Sequence, residues 1–382
     1  MRKIFITSFI LLFLLTSCTR GNSATGKPKL TDRLIIEGIG IDYDNAAGEY
    51  AVTFQTLNTE ASGKNGSGDE GSGIAQNFEC RGGTVAEAVG RAIAQTGKKP
   101  LYGHNKIIIF GRSAAENGIY KVLDYFLKDY KFYINTAAAF AETTAAEILN
   151  AKLDGESMPA EVIEKILRSA EVNSKAPRTE LYRFVSFSLE ETSGAFLPVL
   201  RLISDEDEPE KKNIIVSGTA VFKKGIYAGG LTEGETRGFL WIAGRIDGGT
   251  VTVETENGGS KYAFNIKKAK PEVKINAGGE FPTIDISIKA SVEMIESRGA
   301  NKGLAFGDKE PAEDLTPLVK AAIENEAKSA AEKALKEYKT DIFRFGRRLY
   351  IKNPEAYRRL SGSWAEILPG IQINTNVAVE IL

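Results

Sequence analysis

The chain has 382 residues, 42% of them hydrophobic and 26% charged, with a formal net charge of −1 at pH 7. That length and balance belong to a folded protein of two or three domains and exclude a disordered or fibrous chain. With acids and bases nearly equal, and no basic stripe interleaved with aromatics, no nucleic acid is expected as a partner.

The N-terminus carries Arg2 and Lys3, then an apolar run from Ile4 to Leu15 broken only by Thr7 and Ser8, and then Leu15-Thr16-Ser17-Cys18. The run is too short to span a bilayer comfortably, and it reads as an export signal, residues 1–17, that is later removed. A cysteine at the cleavage point resembles the lipobox of bacterial lipoproteins, in which the thiol is diacylated and becomes the mature N-terminus. Two acyl chains hold durably, since each buried methylene contributes about 0.8 kcal/mol. An ordinary secretory signal or a simple anchor would leave the cysteine unexplained. Residues 18–30, small and polar with Pro28, then read as a lipidated tether. Cys80 is the remaining thiol, so no internal disulfide is expected, and a buried structural role suits it.

An N-terminal mixed α/β domain is expected over residues 31–203. Leu34 to Asp42 is a buried strand, Asp44 to Gly48 a turn, and Tyr50 to Gln55 a returning strand. Thr59 to Gly73 has no large apolar side chain and reads as a mobile loop. Thr84 caps a helix over Val85–Gln95 with Glu87 in the capping-box position, and Gly97 closes it. Lys106 to Phe110 is a buried strand. Ser113 caps a helix carrying Ile119, Val122, Leu123 and Phe126 on one face. A strand over 132–141, a helix begun by Thr143 or Thr144, and a helical stretch around Leu181 to Leu189 complete the unit. Strand and helix alternate, which makes a sheet covered by helices.

The acidic run Asp205 to Glu210 around Pro209 reads as a solvated linker rather than a cation site, because no rigid loop arranges its oxygens. A small middle α/β domain is expected over 213–258, with Lys223-Lys224-Gly225 as a turn and a helix over Gly234–Ala243. A C-terminal domain, 259–382, has period-two strands: Tyr262, Phe264 and Ile266, then Ile284 to Met294, then Ile371 to Ile381. One face is dry and one wet, as in an antiparallel sheet packed on one side. A long helix started by Thr316-Pro317 and lined by Leu318, Ile323, Ala327, Ala330, Ala334, Leu335 and Tyr338 covers the dry face. The fold class is therefore α/β (α+β), in three modules.

Chemistry is scarce. Gly38-x-Gly40 lies inside a strand, and the position where a dinucleotide loop needs its third glycine is Tyr43. There is no phosphate loop, paired-cysteine metal spacing or nucleophile elbow, and His104 is the single imidazole. Neither a cofactor nor a metal is expected. The densest cluster is Glu233-Gly234-Glu235-Thr236-Arg237-Gly238-Phe239-Leu240-Trp241. Glu235, Arg237 and Trp241 are the candidate ligand or partner contacts: Arg237 by a bidentate grip on a carboxylate, Trp241 by stacking. The competing structural reading pairs Arg237 with Glu233 one helical turn away and buries Trp241.

Taken in order, the segments resemble the Ger(x)C family, lipoprotein C subunits of nutrient germinant receptors in spore-forming bacteria. The resemblance rests on Cys18, Asp32-Arg33 before Gly38-Ile39-Gly40-Ile41-Asp42, Tyr50 to Gln55, Gly83-Thr84, His104 to Ile109, and Leu197 to Leu200. It continues through Ser217 to Lys224, Glu235 to Trp241, Asp341-Ile342-Phe343-Arg344-Phe345-Gly346, Pro354 and Trp364. Thr19 departs from the tryptophan that often follows the lipidated cysteine in the family. The resemblance implies three α/β modules, no enzymatic activity, a diacylglyceryl Cys18 on the outer face of the spore inner membrane, and docking with integral-membrane A and B subunits. The alternative is an extracytoplasmic lipoprotein that holds a small nutrient directly, through Arg237 and Trp241. A surface hydrolase rests only on undirected carboxylates.

Overall fold

The computed structural model describes residues 33–57, 75–128, 132–151, 153, 158–204, 212–255, 260–279, 281–298 and 312–382. The export signal, Cys18, the tether, the Thr59–Gly73 loop and the Asp205–Glu210 run lie outside the described residues.

The first sheet orders its strands β3 (Ala75–Gly82), β2 (Glu49–Leu57), β1 (Arg33–Asp44), β5 (Ile107–Gly111), β6 (Ala137–Ala141), β7 (Ala195–Ser204), β8 (Lys212–Lys223) and β9 (Ile226–Leu231), with β4 (Lys99–Leu101) also paired to β1. β1 (Arg33–Asp44) and β2 (Glu49–Leu57) form a hairpin, and Asp44 sets its turn by accepting the Ala46 and Ala47 amides at 2.9 and 3.1 Å. β3 (Ala75–Gly82) adds to β2 antiparallel. The centre is parallel: β1 to β5 (Ile107–Gly111), β5 to β6 (Ala137–Ala141), and β6 to β7 (Ala195–Ser204). Central parallel strands are covered on both faces, which is why Ile107 to Phe110 are apolar without alternation and wholly buried. β4 (Lys99–Leu101) lies beside the start of β1.

One face of this sheet packs α1 (Val85–Thr96), α2 (Arg112–Asn117), α3 (Tyr120–Lys128) and α6 (Leu181–Leu189); the other packs α4 (Ala145–Leu149) and α5 (Pro159–Val172). β1 shows how sequence chooses the faces. Ile39 and Ile41 enter the first core, while Gly38 and Gly40 face the second, where a Cβ would meet Ala160 at 2.9 Å and Ala145 and Leu149 at 3.1 Å. Asp42, next in the same alternation, accepts the Ala145 and Ala146 amides that open α4. The two glycines thus admit the helices of the second face.

Three local expectations change. Thr84 caps α1, but Glu87 reaches the Gly83 amide rather than closing a box on Thr84. Ser113 lies within α2 and accepts the Tyr43 amide, while Gly111 holds the cap position. The single helix expected after it breaks into α2 and α3 at Gly118, which takes φ 103°.

β7 continues into β8 (Lys212–Lys223), antiparallel, with Ser204 opposite Lys212, and β8 turns through Lys224 and Gly225, both at positive φ, into β9 (Ile226–Leu231). The residues of the middle stretch are thus shared: β8 and β9 extend the first sheet, and β10 (Thr250–Glu254) belongs to the second. That second sheet runs β10-β11-β12-β13, with β11 (Lys261–Asn276) and β12 (Thr283–Arg298) as its long hairpin. Ile284, Ile286, Ile288 and Val292 are buried on one side, and β13 (Gln372–Ile381) pairs with β12 in parallel, not antiparallel. The reason is the crossover. Between the two strands the chain runs through α8 (Ala312–Glu332), α9 (Phe345–Lys352), α10 (Pro354–Leu360) and α11 (Trp364–Ile367), which return it to the end where β12 began. α8 covers the dry face with Val319, Ile323, Ala327 and Ala330; it starts a turn before Pro317 and ends in a π turn over Lys333–Glu337.

Candidate functional site

The cluster singled out in the sequence forms α7 (Glu233–Ala243). Thr232 accepts the Glu235 amide while the Glu235 carboxylate accepts the Thr232 amide, a complete capping box, and Gly244 ends the helix at φ 70°. α7 leans on β8 through a buried hydroxyl pair, Thr219 to Thr236 at 2.9 Å, and on α8 through Gly238. A Cβ at Gly238 would lie 1.9 Å from the Glu326 carbonyl oxygen, so glycine is what lets the two helices touch.

Across that contact Arg237 grips a carboxylate, and it is the chain's own. Its Nε donates to both oxygens of Glu326, at 3.0 and 2.9 Å, its Nη2 donates to Oε1, and its Nη1 donates to the Thr250 carbonyl at 2.7 Å. The Trp241 indole donates to Glu326 Oε2 at 3.0 Å. Trp241 is completely buried, so it has no face for a ligand to stack on. Glu233 pairs with Lys175 and accepts from Ser217 instead of Arg237. Burial works against the Arg237 cation, but the Glu326 carboxylate outweighs it and leaves the pKa raised. Burial likewise opposes ionisation of Glu235, yet the Thr232 amide and the Lys333 ammonium at 2.9 Å hold its pKa below the usual value. All three candidate contacts are therefore internally engaged, and α7 is clasped to the long helix.

The sequence reading missed Glu326. It stands in the apolar stripe Ile323, Ala327, Ala330, and one acid inside a core stripe was the available signal that a buried cation faces it.

A second polar knot gathers Asp341-Ile342-Phe343-Arg344-Phe345-Gly346. Asp341 is fully enclosed; Oδ1 accepts the Phe343 amide at 3.1 Å, and Oδ2 accepts the Gly346 amide at 2.8 Å and the Trp364 indole at 3.3 Å. Burial raises its pKa to about 6 in spite of these donors. Arg344, at φ 60°, turns out of this knot to form an ion pair with Glu190 and to lie 4.6 Å over the Phe187 ring. Beside it opens a cleft of about 300 Å³ between α6, α7 and α9.

His104 is exposed in the short turn before β5, and Cys80 is buried with its thiol 3.4 Å from Gln95 Oε1. Among the described residues no three His, Cys, Asp or Glu side chains gather to hold a metal ion. Among them, too, no helix is long and apolar enough to cross a membrane.

An open first sheet with helices on both faces, joined through a clasped helix to a half-covered second sheet, defines an α+β protein whose chemistry alone assigns no activity. Two family models divide the chain: "Spore germination protein N-terminal domain" matches residues 26–202, and "Spore germination B3/ GerAC like, C-terminal" matches 217–382. The chain belongs to the Ger(x)C family of spore germination proteins. It is 24% identical to spore germination protein B3 of Bacillus subtilis (strain 168), over 90% of this chain and 89% of that one. It is 25% identical to spore germination protein KC of the same organism, over 93% and 90% respectively. The crystal structure of the GerBC protein superposes with a TM-score of 0.58 at 19% identity, covering 90% of this chain and 97% of that chain, and shares its fold.

Proposed function

We propose that this protein is the lipid-anchored, non-catalytic C subunit of a spore nutrient germinant receptor. It acts beside two integral-membrane subunits, A and B, on the outer face of the spore inner membrane. The observation that carries this reading is the pair of spore germination models lying end to end over almost the whole chain after the export signal. The anchor is argued from Leu15-Thr16-Ser17-Cys18 behind an apolar run too short to span. With Glu235, Arg237 and Trp241 committed to internal clasps, the body suits a scaffold that passes a conformational change between partners better than an enzyme. Holding a nutrient through Arg237 and Trp241 loses its support, because Glu326 occupies the first and burial encloses the second.

Replacing Cys18 by alanine tests the assignment. The variant is expected in the soluble fraction of spore lysates, with nutrient-triggered germination impaired and germination by a receptor-independent trigger intact. Full membrane retention together with normal nutrient germination overturns it.

A further inference from the structure

The cleft beside Arg344 has a composition that folding alone does not call for. Phe196, Phe239 and Phe343 line it and are almost fully buried, and Phe187 flanks them. Five guanidinium groups also line it: Arg183, Arg245, Arg344, Arg347 and Arg348. Three of them are answered by carboxylates, Arg183 by Glu180 at 3.1 Å, Arg245 by Glu171 at 3.3 Å, and Arg344 by Glu190. Arg347 stacks on Tyr350, its guanidinium 5.2 Å from the ring centre. Arg348 is half-buried and has no carboxylate within ion-pair distance among the described residues. Burial and the neighbouring Arg344 charge press its pKa down, and only the field of Asp341 opposes them. Such a cation in a partly apolar wall is stabilised by whatever anion reaches it.

We propose that this cleft is a binding site for a small organic monoanion, a carboxylate carried on a flat apolar body. The guanidinium fork matches a carboxylate bidentately, and half-buried Phe187 and exposed Ile351, backed by the buried phenylalanines, give the body an apolar surface to lie on. The five lining arginines, with Arg178 sharing Glu180 at 4.0 Å, outnumber the nearby acids Glu171, Glu180, Glu190 and Asp341, so the cleft carries an excess of positive charge. At about 300 Å³ the space suits a ligand of amino-acid size, at the lower end of small-molecule pockets. Binding here does not depend on lipidation or on membrane partners, so its failure would leave the receptor assignment standing.

The test is calorimetric titration of the full chain, purified in detergent, with 3-phenylpropionate and with its neutral analogue 3-phenylpropanol. The acid is expected to bind with a sub-millimolar Kd, the alcohol not at all. Arg348→Gln should weaken the acid roughly tenfold or more, with Arg348→Lys in between, as loss of a charge-assisted bidentate contact implies. Arg347→Gln, at an exposed position whose loss leaves the fold alone, should weaken it severalfold and covers the case in which Arg348→Gln fails to fold. No heat with the acid up to about 10 mM overturns the proposal. So does equal binding of the alcohol, or affinity unchanged in both glutamine variants.

Discussion

Asp341 is the residue at which burial and hydrogen bonding pull hardest against each other. Enclosure raises its pKa to about 6 from the ordinary carboxyl value of 3.8, although two amides and an indole donate to it. The sign of the linkage follows from proton counts. Between those two values the folded chain holds a proton on Asp341 that the unfolded chain has lost, so stability is greatest below the unfolded pKa and declines as pH rises through about 6. The full swing is on the order of 3 kcal/mol. Asp42 and Glu37, whose pKa values burial also raises, add slopes of the same sign, so one variant must be compared with the parent. Asp341→Asn keeps the shape but cannot titrate. It also turns an amide toward the N–H donors, costing about 1–3 kcal/mol near neutrality. The stability gap between parent and variant, read from urea midpoints at several pH values, is expected to widen as pH falls from about 7 to about 4. A constant gap would mean that the carboxyl does not titrate in that window.

At the scale of elements, the α7–α8 contact gathers most of what the sequence signalled without explaining. The helix itself was legible, since Thr232 before Glu235 and glycine at 244 are end signals. Its partner was not, because Glu326 is 89 residues away from Arg237 and no local pattern states such a distance. Strand faces were legible from alternation, as in Ile284 to Val292. The direction of β13 was not, because a dry face reads the same whichever way the strand runs. The glycine at 238 can be tested against helix propensity. Alanine favours an exposed helix interior by about 1 kcal/mol over glycine. Gly234, in the first turn of the same helix, has open space around its Cα, whereas a Cβ at Gly238 would collide with the Glu326 backbone. Gly234→Ala should therefore leave the melting temperature unchanged or higher. Gly238→Ala should lower it, with the 1–3 kcal/mol typical of overpacking as a minimum because backbone must move. Equal effects at the two positions would show that the helices do not meet at Gly238.

Over the whole molecule, the two family models meet between residues 202 and 217, and that gap lies inside one β-hairpin. β7 and β8 pair along most of their length, from Ala195 opposite Phe222 to Ser204 opposite Lys212. An acidic run around proline reads as a linker between domains; here its flanking strands are neighbours in one sheet, which composition could not reveal. The core repeats this sharing, because Phe196 of β7, Val221 of β8 and Leu231 of β9 belong to the same apolar cluster as Phe264, Ile286 and Trp241. Cutting the chain in the hairpin leaves β7 as a bare edge on one fragment and strips the other of the sheet its β8 and β9 extend. Each half produced alone, residues 31–204 or 212–382, is accordingly expected to aggregate or to lack a cooperative unfolding transition. Co-produced, the halves should associate through β7 and β8 and elute together, with a single transition near that of the intact chain. Two halves that fold separately and ignore each other would place the boundary at the hairpin after all, and would make the shared cluster an interface between units rather than a common core.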